Sequence, residues 1–467
     1  MPRPTPPVLM RQPSTGSRLR QGPEWGTPDC SGRTTIYHWG MKNSTFENRR
    51  QLETLDSQSL VDHQLDRLNQ LLAAILPHNR FYAEKFSDLA LPLTSLDELA
   101  NLPFTFKEEL VAGKHEGDLA ANLTWPLERY SRFHRTSGTH GRPMVVLDTP
   151  DDWEWWLHNW QFVLDAAELT PADRVLMAFS FGPFIGFWSA FDAVAARGCL
   201  TVPTGGMSSV ARLDLLRNLH ATALFCTPSY ALHLAETARE QHIDPASLGV
   251  KKIVVAGEPG GSVPARRERI ETAWNAKLID HAGASEIGAW GYSDPQRQGL
   301  YINESEFLAE FRSLASGDLA GEGELSELVL TTLGRLGSPV IRYRTGDLVR
   351  PTWNGSGDCN FVLLEGGVLG RVDDMLVVRG VNIFPASIEQ ILLSFPEVVE
   401  YRLTAFTEHE MDCLRVEVED RLQQPQRVAQ ELQLRLGLRI EVADAPLGSL
   451  PRFEGKGRRF IDQRSKL

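Results

Sequence analysis

The feature that most limits the fold of this chain is a run of short apolar segments separated by helical stretches. From Tyr130 onward the sequence passes through VLMAF at 175–179, CLTVP at 199–203, ALFCTP at 223–228 and KIVVAGEP at 252–259. Apolar runs this short have the length of buried strands, and the intervals between them can hold crossover helices. The alternation predicts an α/β unit on largely parallel sheets. Within 324–350, ELSELVLTTL and PVIRYRTGDLV read as two more strands around a Gly-rich turn. After Gly370 the pattern shifts to a strand at MLVVRG (375–380), an amphipathic helix from Pro385 to Ser394, a strand-like LRVEVED and a basic tail. The expected architecture is a large α/β domain over 41–369, with parallel-rich sheets flanked by helices, followed by a small, mobile α+β domain over 370–467.

Upstream, Leu60, Val61, Leu65, Leu68, Leu71, Leu72 and Ile75 recur at three- and four-residue spacings, which predicts an amphipathic helix between Ser57 and Leu76. Leu91 to Lys107, broken by Pro92 and Pro103 and with a capping-type start at Thr94, reads as short helices joined by turns. Residues 1–40 carry many Pro, Gly, Ser, Thr and Arg without hydrophobic periodicity. They read as a disordered leader or as an extension upstream of a true start near Met41, with an Arg-rich transit peptide as the competing reading.

At 467 residues the chain exceeds one ordinary core and predicts cooperating units. Sixty acidic against 48 basic side chains give a net charge of −12, which disfavours nucleic acid and anionic membrane as partners and favours a small molecule. The five cysteines are scattered and form no C-x-x-C, so neither a disulfide framework nor a zinc cluster is expected. No apolar run approaches the roughly 20 residues that span a bilayer. These features together predict a cytoplasmic protein.

The segment RTSGTHGRP, Arg135 to Pro143, packs three hydroxyl side chains and two glycines into Thr136–Gly141. Such a loop can present backbone N–H groups and hydroxyls to phosphate oxygens, because glycine admits close approach and positive φ. It is no Walker loop, since G-x-x-x-x-G-K-[ST] does not occur. Alone, it would be an ordinary turn.

The loop is followed in order by AGEP (256–259), DHAGASEIGAWG (280–291), PVIRYRTGDL (339–348), GRVDDMLVVRGVNIFP (370–385) and PRFEGKGRR (451–459). This series resembles the adenylate-forming superfamily, most closely its phenylacetate–coenzyme A ligase branch, from about residue 45 to the C-terminus. The resemblance implies an AMP-forming acid–thiol ligase that uses ATP, Mg²⁺ and coenzyme A on a small aryl or apolar carboxylic acid.

It further implies that Thr136, Ser137, Gly138, Thr139, Gly141 and Arg142 hold the ATP phosphates, although the family usually has Thr and Lys where His140 and Arg142 stand. Arg keeps the charge and adds a planar fork suited to phosphate. Gly257, Glu258 and Pro259, with Asp280 and His281, match the adenine wall; Ser285-Glu286 matches the step whose carboxylate holds Mg²⁺. The family's frequent Tyr before the glycine is Ala282 here, which puts the adenine contact in doubt and would widen the acyl pocket. Asp347 matches the ribose-binding carboxylate, Arg371 a catalytic arginine and Asp373 the interdomain hinge. Lys456 matches the lysine that reaches the α-phosphate during adenylation, and Arg379-Gly380 the region that meets coenzyme A.

Phe181, Phe184 and Trp188, in SFGPFIGFWSAF, are the expected acyl-pocket walls, with core packing as the rival explanation for each. Rival functions keep adenylation but pass the product to a deazaflavin, an amine or a carrier protein, or abandon catalysis for nucleotide binding alone. A homodimer is left open.

Overall fold

The computed structural model describes residues 44–111, 119–136, 143–258, 261–353, 358–374, 376–378, 381–408, 411–452 and 459–464. The antiparallel pair β1 (Arg132–Arg135) and β2 (Val145–Asp148) flanks the Ser/Thr/Gly segment. The four apolar runs then form β3 (Arg174–Met177), β4 (Leu200–Pro203), β5 (Ala223–Cys226) and β6 (Lys252–Val255), and β7 (Lys277–Ala284) follows. These five strands lie parallel in the order β4-β3-β5-β6-β7.

Antiparallel to β7 come β8 (Gly288–Ser293) and then β9 (Gly299–Ile302). A second, antiparallel sheet holds β10 (Phe307–Ser313), β11 (Ser326–Thr332) and β12 (Tyr343–Val349). The short β13 (Pro351–Thr352) and β14 (Leu363–Glu365) return beside β9 to complete nine strands, and β15 (Gly370–Arg371) pairs with β12. The predicted run PVIRYRTGDLV begins its strand only at Tyr343, because Arg342 takes a positive φ of 49° and turns its guanidinium onto the buried Glu310.

The helix Pro150–Ala166 locks these layers together. Thr149 caps it in a reciprocal box with Asp152, Pro150 supplies the preset φ of a first turn, and Trp153, Trp155, Trp156 and Trp160 are buried along it. The predicted N-terminal helix spans Ser57–Ile75 and buries Leu60, Leu68, Leu71, Leu72 and Ile75. The short 3-10 helix Leu96–Asn101 starts one residue later than expected. Ser95 is its cap, paired with Glu98, and the Thr94 hydroxyl instead donates to the Glu98 carboxylate.

The last unit has its own buried cluster, from Leu376 to Ile440. Strands Val398–Glu408 and Met411–Asp420 pair antiparallel, Glu441–Asp444 and Phe460–Asp462 add parallel edges, and helices Pro385–Leu393 and Pro425–Leu436 pack alongside. It touches the large unit through Arg266, on helix Pro264–Trp274, which pairs with Glu389, and through Arg269 Nη2, which donates to the Val398 carbonyl at 3.3 Å. No helix of the described residues is long and apolar enough to cross a membrane.

Candidate active site

The chain order of the parallel strands reverses at β3, with β4 on one side and β5 on the other. In open α/β sheets such a reversal leaves a crevice beyond the carboxyl ends of the strands. The segments after β3 (178–182), β5 (227), β6 (256–258) and β7 (285–287) leave the sheet at that same end, and they carry most of the residues singled out in the sequence.

Thr136 closes the neck of the Ser/Thr/Gly loop. Its N–H donates to the Met144 carbonyl at 2.9 Å and its Oγ1 accepts from the Met144 N–H at 3.0 Å. Arg135 N–H donates to the Pro183 carbonyl at 2.9 Å, which ties this hairpin to the aromatic segment. Ser137, Gly138, Thr139, His140, Gly141 and Arg142 lie outside the described residues, as do Pro259, Arg379, Gly380, Lys456 and residues 1–40.

Glu258 sits over the start of helix Pro228–Glu240, where its Oε1 accepts from the Ser229 N–H at 2.9 Å and from the Ser229 hydroxyl. A carboxylate is favoured there because the first-turn N–H groups lack intrahelical partners and the helix end is partially positive. Gly257, at φ +92°, supplies the left-handed turn that brings Glu258 across.

Asp280 and His281, the next pair singled out in the sequence, are both buried. Ser262 Oγ donates to Asp280 Oδ2 at 2.7 Å and His281 N–H to Oδ1 at 3.0 Å; burial pushes the Asp280 carboxyl up to about 6. A Cβ on Gly261 would stand 2.3 Å from Asp280 Oδ1, so this close backbone approach requires glycine. On the opposite face of β7, burial drops His281 to about 4. It is therefore neutral, with Nδ1–H donating to the Gly291 carbonyl at 2.7 Å and the ring 4.2 Å from that of Trp160. What the motif showed as one polar strip is divided by strand alternation into two buried supports.

Three residues distant from it in sequence, Tyr343, Asp347 and Arg371, converge around Glu286. The Tyr343 hydroxyl donates to Glu286 Oε1 at 2.8 Å, and burial followed by the Glu286 charge holds that phenol far above its ordinary range, so it stays a donor. Asp347 and Arg371 face each other across β12 and β15, with Arg371 Nη1 3.1 Å from Asp347 Oδ1 and Nη2 3.1 Å from the Thr345 carbonyl. Gly346 makes room for that guanidinium, since a Cβ there would lie 2.9 Å from Nη2 and its φ is +74°. Asp373, exposed in the turn after β15, stands 3.7 Å from the same guanidinium. Against a desolvation cost, Asp347, Asp373 and Glu286 together raise the pKa of Arg371.

Among the described residues no three His, Cys, Asp or Glu side chains form a metal cage. A hard cation held by a single carboxylate and completed by phosphate oxygens fits Mg²⁺, which retains few protein ligands.

In the aromatic segment, Phe181 meets Trp188 edge-on at 5.0 Å and Phe184 meets Phe187 at 6.1 Å, while Phe179 stacks on Phe187 at 4.3 Å. Trp188 is 36% exposed, and its indole N–H donates to the Gly182 carbonyl at 3.0 Å. Phe187, one of several aromatics in that segment and not distinguished by the motif, is the ring that joins Phe184 to Phe179. Tyr343 opens the YRTGD segment that ends at Asp347, and the motif alone gives it no role.

Residues 380–464 match the family model described as the AMP-binding enzyme C-terminal domain. The phenylacetate-coenzyme A ligase of Thermus thermophilus is 31% identical over 447 residues, covering 89% of this chain and 99% of its own length. That of Pseudomonas putida is 31% identical over 431 residues, covering 88% and 96%. Among solved structures, a 2-hydroxyisobutyryl-CoA ligase in the postadenylation state with 2-HIB-AMP aligns with a TM-score of 0.82 at 27% identity, over 89% of this chain and 91% of that one. The same enzyme with 2-HIB-AMP and CoA in the thioesterification state aligns at 0.67, with 28% identity and coverage of 90% and 94%. Matched over 88–89% of its length by relatives 31% identical to it, and built on the same α/β sheet and small C-terminal unit, this chain belongs to the phenylacetate–coenzyme A ligase branch of the adenylate-forming ligases.

Proposed function

We propose that this chain ligates a small carboxylic acid to coenzyme A at the expense of ATP, through two half-reactions at one site. The observation that carries the reading is the convergence of Glu286, Tyr343, Asp347 and Arg371 at the end of the sheet where the Thr136 hairpin and the aromatic segment also emerge. In the first half-reaction a carboxylate oxygen of the acid attacks the α-phosphorus of ATP, and the bond to the β-phosphate oxygen breaks to release pyrophosphate. In the second, the thiolate of coenzyme A attacks the acyl carbon and AMP leaves with the electron pair.

Asp347 accepts from the ribose hydroxyls, an assignment supported by its place beside the Arg371 guanidinium. Arg371 compensates negative charge near the phosphates. Glu286, oriented by Tyr343, is the protein ligand of Mg²⁺, which offsets charge on the phosphate oxygens when bound. The roles of the Ser137–Arg142 loop, Pro259 and Lys456 as phosphate and adenine contacts, and of Arg379-Gly380 at the thiol channel, are proposed on the motif match alone.

The hinge is placed at Asp373, between β15 of the large unit and the first strand of the small one, Leu376–Val378. The large domain is thus proposed to end close to residue 370. The TM-scores of 0.82 and 0.67 against two states of one enzyme support a small unit seated in the postadenylation arrangement. Aromatic rings at Phe179, Phe181, Phe184 and Phe187 favour an aryl or apolar acid. Relatives named as coenzyme A ligases do not favour a deazaflavin, amine or carrier-protein acceptor. A reducing compartment such as the cytoplasm is proposed on the scattered spacing of the cysteines. A homodimer is the finer expectation, measured by sedimentation.

Acid-dependent exchange of labelled pyrophosphate into ATP, over a panel of aryl and aliphatic acids with Lys456→Ala alongside, tests the reading. Exchange that collapses in the variant, followed by AMP release on adding coenzyme A, is the expected result. No exchange with any acid would sink it.

A further inference from the structure

The turn that carries Glu286 is held from two sides. Tyr343 fixes the carboxylate, as above. The main chain is fixed by Arg335, whose Nη1 donates to the Ser285 carbonyl at 3.0 Å. The rest of the guanidinium closes on Asp148, with Nε and Nη2 at 2.9 and 2.6 Å from Oδ1, and both side chains are 0% exposed. Trp156 lies 5.5 Å from the guanidinium carbon.

Asp148 is the last residue of β2, the strand by which the chain leaves the Ser/Thr/Gly loop, and its Oδ2 faces Nδ1 of His134 on β1 at 3.9 Å. The neighbouring turn is docked as well, since Gly337 N–H donates to Asp152 Oδ1 at 3.0 Å and Ser338 Oγ to the Leu147 carbonyl at 2.6 Å.

A fully buried ion pair is poor evidence of stability, because its desolvation cost offsets the attraction and apolar replacements often serve as well. The third contact distinguishes this one. Arginine presents donors on several edges of a rigid plane, so one side chain can hold a carboxylate and a carbonyl on different chain segments at fixed separation. Lysine cannot span both.

We propose that Arg335 is a positioning residue for the adenylation step, setting the distance between the phosphate-loop hairpin, through Asp148, and the cation-bearing turn, through the Ser285 carbonyl. The inference rests on the assignment of Glu286 to Mg²⁺.

Binding of ATP to the full chain, measured by calorimetry with Mg²⁺ and again with EDTA, tests it without requiring the acid to be known. The parent, Arg335→Lys, Arg335→Met and Glu286→Gln are compared. In the parent Mg²⁺ tightens ATP binding. Arg335→Lys and Glu286→Gln lose about 10–100-fold of that Mg²⁺-dependent gain, the usual cost of removing a support behind a metal ligand, while binding in EDTA stays as in the parent. Should the methionine variant fail to fold, the lysine variant decides. If Arg335→Lys weakens binding equally in EDTA, the residue merely holds the fold and the proposal fails. If Glu286→Gln loses the gain and Arg335→Lys keeps it, positioning fails and the Glu286 assignment stands. If Glu286→Gln keeps the gain, that assignment fails first and takes the inference with it.

Discussion

Glu389→Ala would release the small unit from its present seat. The Arg266 side chain is 3% exposed and Glu389 24%, and the Tyr401 hydroxyl donates to the same carboxylate oxygen that Arg266 contacts. A hydrogen bond to a charged group contributes roughly 1.5–3 kcal/mol, and the partial exposure of Glu389 argues for the lower end. At about 1.4 kcal/mol per factor of ten, the seated arrangement should lose about tenfold in population relative to its alternatives.

That arrangement is the one proposed above to match the postadenylation state of the 2-hydroxyisobutyryl-CoA ligase over its thioesterification state. Pyrophosphate exchange should therefore fall about tenfold relative to acyl transfer from preformed acyl-adenylate to coenzyme A. Tyr401→Phe is the control, because Tyr401 and Glu389 belong to the same unit and the Arg266 contact survives the change. The reasoning is refuted if both half-reactions slow equally in Glu389→Ala, or if Tyr401→Phe shifts their ratio as far.

Tyr343→Phe removes the donor 2.8 Å from Glu286 without altering the buried ring, so adenylation should drop about 10-fold or more with little change in melting temperature; steady-state pyrophosphate exchange and a thermal melt check both. Gly346→Ala places a methyl 2.9 Å from Arg371 Nη2 at φ +74°, costing about 1–2 kcal/mol and raising the KM for ATP, as initial rates would show. Asp280 has its folded pKa raised from 3.8 to about 6, so its contribution to stability is complete below about pH 4 and is lost as pH rises through 6. Asp280→Asn should accordingly gain melting temperature over the parent at pH 7 that it does not gain at pH 4, a difference of about 3 kcal/mol at most.

How much of this could be read in the sequence depended on how far apart the cooperating residues lie. Strands β3, β5 and β6 were legible because they are buried on both faces and so read as unbroken apolar runs, whereas β4 is a half-exposed edge strand. Asp347 and Arg371 were legible as two motifs, and their pairing follows from register across β12 and β15, which no spacing rule supplies. Burial of Asp280 and His281 was not legible, since a motif records residue type and not which face of a strand meets the core. Thr94 and Ser95 compete for the same Glu98, and composition alone does not choose between adjacent hydroxyl caps.

Arg335 is the extreme case. In GRLGSP it sits among turn residues and looks solvated, yet it is fully buried against Asp148, 187 positions earlier, and grips a carbonyl oxygen that every residue possesses. Contacts to main-chain carbonyls, at Ser285, Pro183 and Val398, tie down the turn before Glu286, the hairpin and the small unit. Such contacts leave no signature in the accepting residue. A site assembled from motifs therefore shows the groups that touch substrate, while the groups that set their spacing emerge only when donors on one segment are matched with backbone acceptors on another.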